Sequence, residues 1–135
     1  MRIFLDANIL FSAARSDGAM REFLRLLVEA GHELHADTYV VEEARRNLAA
    51  KAGGAEAALE EILATVAVAA FVTDHALEKN LPLPEKDRPV LAAAIRLKCE
   101  ILVTGDRTHF GEYYGKILRD VTIHSPRSLA QALLR

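Results

Sequence analysis

Four acidic residues stand where apolar runs end or amphipathic segments begin. Asp6 follows Ile3-Phe4-Leu5, Glu43 lies inside an amphipathic stretch, Asp87 precedes Arg88-Pro89, and Asp106 closes Val103-Thr104-Gly105-Asp106. Carboxylates crowded together repel one another, and some must stay protonated unless a cation compensates them. Hard oxygen ligands suit Mg²⁺ or Mn²⁺, ions that keep several waters and also accept phosphate oxygens. One such ion can lower the pKa of a bound water while a second steadies a leaving oxygen, which is the chemistry of phosphodiester hydrolysis. Asp6, Glu43, Asp87 and Asp106 are therefore the expected catalytic and metal-binding set. Each has a plainer use as well: Asp6 and Asp106 as turn acids, Asp87 as a helix cap, Glu43 as a solvated helix residue. Only their joint placement at one edge favours the chemical reading.

That placement depends on the elements. Strands are expected over residues 3–5, 32–36, 68–72, 101–103 and 121–123. Met20, Phe23, Leu24, Leu27 and Val28 recur at helical spacing, with Gly31 as C-cap. Asp37 or Thr38 can cap a helix burying Val41, Ala44 and Leu48, which ends by Gly53-Gly54. A further helix carries Ala58, Leu59, Ile62, Leu63 and Val66, and a short one spans about 74–80. Residues 86–98 read as a helix that tolerates Pro89 only in its first turn. Ser125 or Pro126 opens the last helix, burying Leu129, Ala132 and Leu133. Such alternation implies a largely parallel sheet with helices on both faces, a three-layer α/β/α sandwich. In that architecture strand ends and helix N-termini share one rim, so all four acids can meet there.

Composition bounds the rest. The chain has 135 residues, 51% of them hydrophobic and 27% charged, enough for one domain over 1–135 with a real core. Cys99 is the only cysteine, so no intrachain disulfide is possible, as expected of a reducing compartment. The opening apolar run is too short for a signal peptide or a membrane span, and a cytoplasmic, non-membrane protein is expected. The net charge of -2 does not announce a nucleic-acid binder. With four of the 19 acids held on metal, however, 15 would face 17 basic residues.

Ile3-Phe4-Leu5-Asp6-Ala7-Asn8-Ile9-Leu10 resembles the opening strand and first aspartate of the PIN-domain family, in particular the toxins of bacterial and archaeal toxin–antitoxin pairs. Glu43-Ala44-Arg45-Arg46-Asn47-Leu48 is similar to the second motif, residues 87–94 to the third and residues 102–106 to the fourth. The likeness runs from residue 2 to about 134. It implies a five-stranded parallel sheet in the order 3-2-1-4-5, with Asp6 and Asp106 as neighbours and Asn8 and Thr104 as supporting polar residues. It also implies an endoribonuclease dependent on Mg²⁺ or Mn²⁺, acting on RNA, with a protein antitoxin as partner and a homodimer as assembly. The second motif selects Glu43 over Glu42, a choice periodicity leaves open. Many members carry another acid soon after the fourth motif, where this chain has Thr108-His109-Phe110, so one or two metal ions remain possible.

Around the acids, Arg45, Arg46, Arg88, Arg107 and His109 are candidate RNA contacts, with solvated charge or packing as the plainer role. Phe11, Tyr39, Tyr113 and Tyr114 can stack on bases, though core or dimer packing explains them as well. His32, His35, His75 and His124 show no ligand spacing with a cysteine or with one another. Three alternatives compete: a haloacid-dehalogenase-type phosphatase, a receiver-like signalling module, and a catalytically inactive PIN fold that binds RNA. The first needs an acid two residues after Asp6, and Asn8 stands there. The second needs paired acids after the first strand and a phosphoacceptor after the third.

Overall fold

Ile3, Phe4 and Leu5 are all fully buried because β1 (Arg2–Leu5) runs through the middle of a sheet. The computed structural model describes residues 1–134. β1 pairs in parallel with β2 (Glu33–Asp37) on one side and β4 (Ile101–Val103) on the other. β3 (Val66–Ala69) extends the sheet beyond β2, and β6 (Val121–His124) extends it beyond β4, both in parallel. These five strands keep the order inferred from the resemblance.

The sheet nevertheless has six strands and is mixed. β5 (Ile117–Leu118) folds back antiparallel on β6, giving the order β3-β2-β1-β4-β6-β5. Its hairpin turns at Arg119 and Asp120, both at positive φ (49° and 67°). A two-residue turn of that kind normally advertises itself by Asn-Gly or Asp-Gly. Arg-Asp carries no such signal, so a strand of two residues went unanticipated.

Helices fill the crossovers: α1 (Ala7–Arg15), α2 (Ala19–Glu29), α3 (Thr38–Lys51), α4 (Glu56–Leu63), α5 (His75–Glu78), α6 (Arg88–Arg96), α7 (Arg107–Phe110) and α8 (Pro126–Leu133). Parallel crossovers are right-handed. Steps from β1 to β2 to β3 therefore place α1–α4 on one face, where α1 packs on α2, α3 and α4, and α8 joins α2. Steps the other way, to β4 and β6, place α5 and α6 on the opposite face.

α1 is the main element the sequence concealed. It follows β1 with no loop, capped by Asp6, and buries Ala7, Ile9, Leu10, Ala13 and Ala14. Asp-Ala-Asn reads locally as a turn, but here the strand passes straight into a helix. β3 also begins earlier than expected: the unbroken apolar run over 66–72 encodes no border, and pairing with β2 places Val66 opposite Leu34. Phe71 and Val72 thus fall beyond the strand and are exposed. Gly31, at φ +90°, ends α2 with its N–H on Val28 O and that of His32 on Leu27 O, the anticipated C-terminal cap. Val28 and Ala132 are exposed rather than buried, whereas Leu129 is fully buried.

Candidate active site

β1 lies between β2 and β4, so strand order reverses there, and the carboxyl ends of β1 and β4 form the crevice in which such sheets place their sites. Asp6 and the residues after β4 are tied together across it. Asp6 N–H donates to Val103 O (3.1 Å), the Thr104 hydroxyl donates to Asp6 Oδ2 (2.8 Å), and Gly105 N–H donates to Asn8 Oδ1 (2.9 Å). The Thr104 oxygen also accepts from Asp106 N–H (3.1 Å) and from Asn8 Nδ2 (3.3 Å). Asp6 Oδ1 accepts from Ala7 N–H at 2.7 Å. Asn8 and Thr104 thus clamp two strand ends and fix one carboxylate between them.

Burial pushes the Asp6 carboxyl up to about 6; bonds from Thr104 and Ala7 oppose this, and the charges of Glu43 and Asp87 add to it. Those repulsions also locate the other acids. Glu43, in the second turn of α3, is close enough to act on Asp6, whereas Glu42 is exposed and lies 3.8 Å from Arg45. Asp87 ends a single 3₁₀ turn, Glu85–Asp87, and is buried beside Asp106. Its carboxyl is held above the usual range, chiefly by burial, with His109 and Lys86 pulling down and Asp106 pushing up. Electrostatic reach thus links the four acids, while Asp6 and Glu43 stand outside the group whose ligand atoms converge within 4.8 Å of one another.

His109 joins them in a manner the sequence reading did not foresee. Its Nδ1 lies 2.8 Å from Asp87 Oδ2 and 2.9 Å from Asp106 Oδ2. Asp106 caps α7, accepting His109 N–H at 3.1 Å, which sets the ring over the acid. Although close, Nδ1 and Asp87 Oδ2 are out of line for a hydrogen bond, and neither has another partner among the described residues. One ligand atom from each of Asp87, Asp106 and His109 lies within 4.8 Å of the others. The imidazole is in ion-pair range of both carboxylates, and the same three atoms are placed to share a cation. The signal was the spacing Asp106-x-x-His109, which puts both residues on one face of a helical turn.

The arginines divide. Arg45 pairs with Glu60 at 2.6 Å, away from the rim, and Arg88 Nε donates to Leu83 O at 2.8 Å. Each guanidinium thus has a structural partner, and each keeps further N–H donors beyond it. Arg46 is exposed and within electrostatic reach of Tyr39. Arg107 and Arg127 line an open depression of about 500 Å³ with Gly105 and Tyr114. The hydroxyls of Tyr113 and Tyr114 donate to Pro82 O and Thr104 O, so both rings brace loops.

The PIN domain family model matches residues 2–108, about four-fifths of the chain. The chain belongs to the PIN-domain family. The matched stretch contains all four acids and stops one residue short of His109. Solved PIN-like structures share the fold. VapBC2 of Rickettsia felis, bound to a DNA fragment from their promoter, superposes with a TM-score of 0.69 at 16% identity, covering 93% of this chain and 98% of that one. FitAcB of Neisseria gonorrhoeae gives 0.62 at 19%, with 93% and 98% covered. VapC20 of Mycobacterium tuberculosis, described as a sarcin–ricin loop cleaving toxin, gives 0.57 at 15%, with 78% and 91% covered. No curated protein matches by sequence. This PIN domain accordingly presents an Asp/Asp/His cluster consistent with metal-dependent nuclease chemistry, and the phosphatase and receiver alternatives fall away.

Proposed function

We propose that this PIN domain is an endoribonuclease that hydrolyses RNA phosphodiester bonds with Mn²⁺ or Mg²⁺ held by Asp6, Glu43, Asp87 and Asp106. The observation that supports the reading is the convergence of ligand atoms from Asp87, Asp106 and His109, with the charges of Glu43 and Asp87 reaching Asp6. When bound, the ion supplies a water of lowered pKa and charge to offset the oxygens of the phosphate.

The chain's own residues do the rest. Thr104 and Ala7 hold the Asp6 carboxylate in one orientation, so it does not have to be ordered on cation binding. Its raised affinity for a proton makes cation binding release that proton, hence favoured as pH rises. Asn8 and Thr104 act as positioning residues by keeping the ends of β1 and β4 in register. His109 contributes a nitrogen donor, which a purely oxygen-seeking Mg²⁺ favours less than Mn²⁺ does. Mn²⁺ is therefore the preferred ion. Arg46 and Arg107 remain exposed beside the rim and are suited to phosphate contact.

Single-stranded or looped RNA is the proposed substrate, since A-form grooves hide the base edges. A toxin role, a protein antitoxin partner, a homodimer and a cytoplasmic place of action belong to the same proposal. Their support is the fold shared with VapBC2 and with VapC20, a cleaving toxin by its description. No described helix is long and apolar enough to cross a membrane. The test is cleavage of a single-stranded oligoribonucleotide in Mn²⁺, with complete loss in EDTA. Cleavage that survives exhaustive chelation overturns the mechanism.

A further inference from the structure

The loop after β3 holds an aromatic ring in solvent, and it does so with unusual firmness. Phe71 is 37% exposed and Val72 beside it 50%. Scattered exposed apolar residues are ordinary. These two, however, are pinned from both sides: Phe71 N–H donates to Thr38 Oγ1 at 2.9 Å, and Arg96 Nη1 donates to Val72 O at 3.3 Å. Against the Phe71 ring lies Tyr39, with centroids 5.0 Å apart and planes inclined by 35°. Tyr39 is fixed in turn, its hydroxyl donating to Lys86 O at 2.8 Å, one residue before Asp87. The loop after β3 and the first turn of α3, braced by Arg96 of α6, thus present a preordered aromatic ledge at the sheet edge.

The ledge borders the carboxylate rim. The charges of Glu43, Asp87 and Asp6 all act on the Tyr39 hydroxyl, as does the cation of Arg46. Lys86 lies close enough to act on Asp87. A strand of RNA with a phosphate at the rim would carry a neighbouring nucleotide across this surface, between Arg46 and Lys86. We propose that Phe71, backed by Tyr39, is the platform on which an unpaired base next to the scissile phosphate stacks. The assignment rests on the nuclease reading above and gives that site its preference for unstacked RNA. Every base offers a π-face, so the platform selects for single strands and not for a particular sequence. A base locked in a duplex cannot reach it.

The chain has no tryptophan, so Phe71→Trp supplies a unique fluorophore without removing an aromatic face. In Mn²⁺, a phosphorothioate-protected, single-stranded mixed-sequence oligoribonucleotide should quench the introduced indole, and a duplex of the same length should not. In the parent background, Phe71→Ala and Phe71→Leu should each raise KM for the unprotected single strand roughly ten-fold, with the loss falling on KM rather than kcat. Phe71→Trp should keep KM near the parental value. A thermal scan checks that each variant is folded at the assay temperature, since Phe71 also packs on Tyr39. Equal KM in parent, Phe71→Ala and Phe71→Leu overturns the platform while leaving the nuclease reading intact. Quenching by single strands whose unprotected form the parent fails to cleave keeps the platform and overturns the nuclease. Equal quenching by duplex and single strand removes the stacking assignment.

Discussion

His109 is the residue at which this site departs from an all-oxygen carboxylate centre. Its Nδ1 faces both Asp87 and Asp106, so its removal should cost metal affinity directly. Groups that merely orient a ligand change affinity by about 10–100-fold when lost. Calorimetry should therefore show His109→Ala weakening Mn²⁺ at least that much and Mg²⁺ less, while His109→Asp should move the preference toward Mg²⁺. Equal losses for the two ions would show that the ring binds no metal. Asp6 makes a second prediction, on stability without metal. Its carboxyl is raised to about 6 in the folded chain against 3.8 in the open one. A raised acid favours the folded state below the unfolded value, and that contribution is lost as pH rises through the folded one. In EDTA the parent should thus lose about 2–3 kcal/mol between pH 4 and pH 7 from this group. Asp6→Asn should remove that part of the slope and stay folded, while losing cleavage. Thermal melts of both chains across this range decide it, and parallel pH profiles would refute the assignment. Saturating Mn²⁺ should reverse the trend in the parent, because the ion binds the deprotonated form.

At the scale of elements, the site depends on two strand ends being held in register. Thr104 is fully buried and serves three partners at once: it donates to Asp6 and accepts from Asn8 and Asp106 N–H. Thr104→Val keeps the shape and removes the hydroxyl, which should cost about 1–3 kcal/mol for the groups left unpaired. Metal affinity should fall with it, since Asp6 is then free to turn. Thr104→Ser should restore both, and denaturant unfolding with calorimetry measures them. A valine variant that binds metal as the parent does would assign Thr104 to packing alone. The same junction shows what the sequence could disclose. Ile3-Phe4-Leu5 and Ile101-Leu102-Val103 are short apolar runs with clear ends, and both strands stand where those runs put them. α1 was hidden because Asp6 serves as strand end, helix cap and site acid together, leaving no loop residues to mark a border. β5 has two residues and no turn chemistry, below what a pattern can register. Asp6, Asp87 and Asp106 stood out in the sequence because each sits at an element boundary, whereas Glu43 lies inside α3 and was singled out only by the motif it begins. His109 was not, because it requires knowing that Asp106 starts a helical turn and does not close a loop.

Across the whole molecule, charge is distributed in a way that makes RNA binding conditional. The chain carries a net charge of -2, and its buried acids cluster at the edge where a phosphate would have to approach. Without a cation that edge repels the substrate; with one it attracts it, while Arg46, Lys86 and Arg107 flank it. Outside the rim 17 basic residues stand against 15 acidic ones, a nearly neutral surface that keeps non-specific association weak. Binding of a phosphorothioate-protected single strand should accordingly require Mn²⁺ and weaken with salt. For single strands the slope of log K against log [salt] is about −0.7 per phosphate neutralised, so roughly three cations predict a slope near −2. Arg46→Ala combined with Arg107→Ala should bring it to about −0.7 and lower affinity similarly for all sequences. Arg45→Ala and Arg88→Ala should change the slope less, because those guanidinium groups already pair with Glu60 and donate to Leu83 O. Fluorescence anisotropy titrations over a salt series read all four chains, the parent included. If Arg45→Ala flattens the slope and the Arg46/Arg107 pair does not, the strand takes another course over α3, and the flanking cations proposed here are not its path.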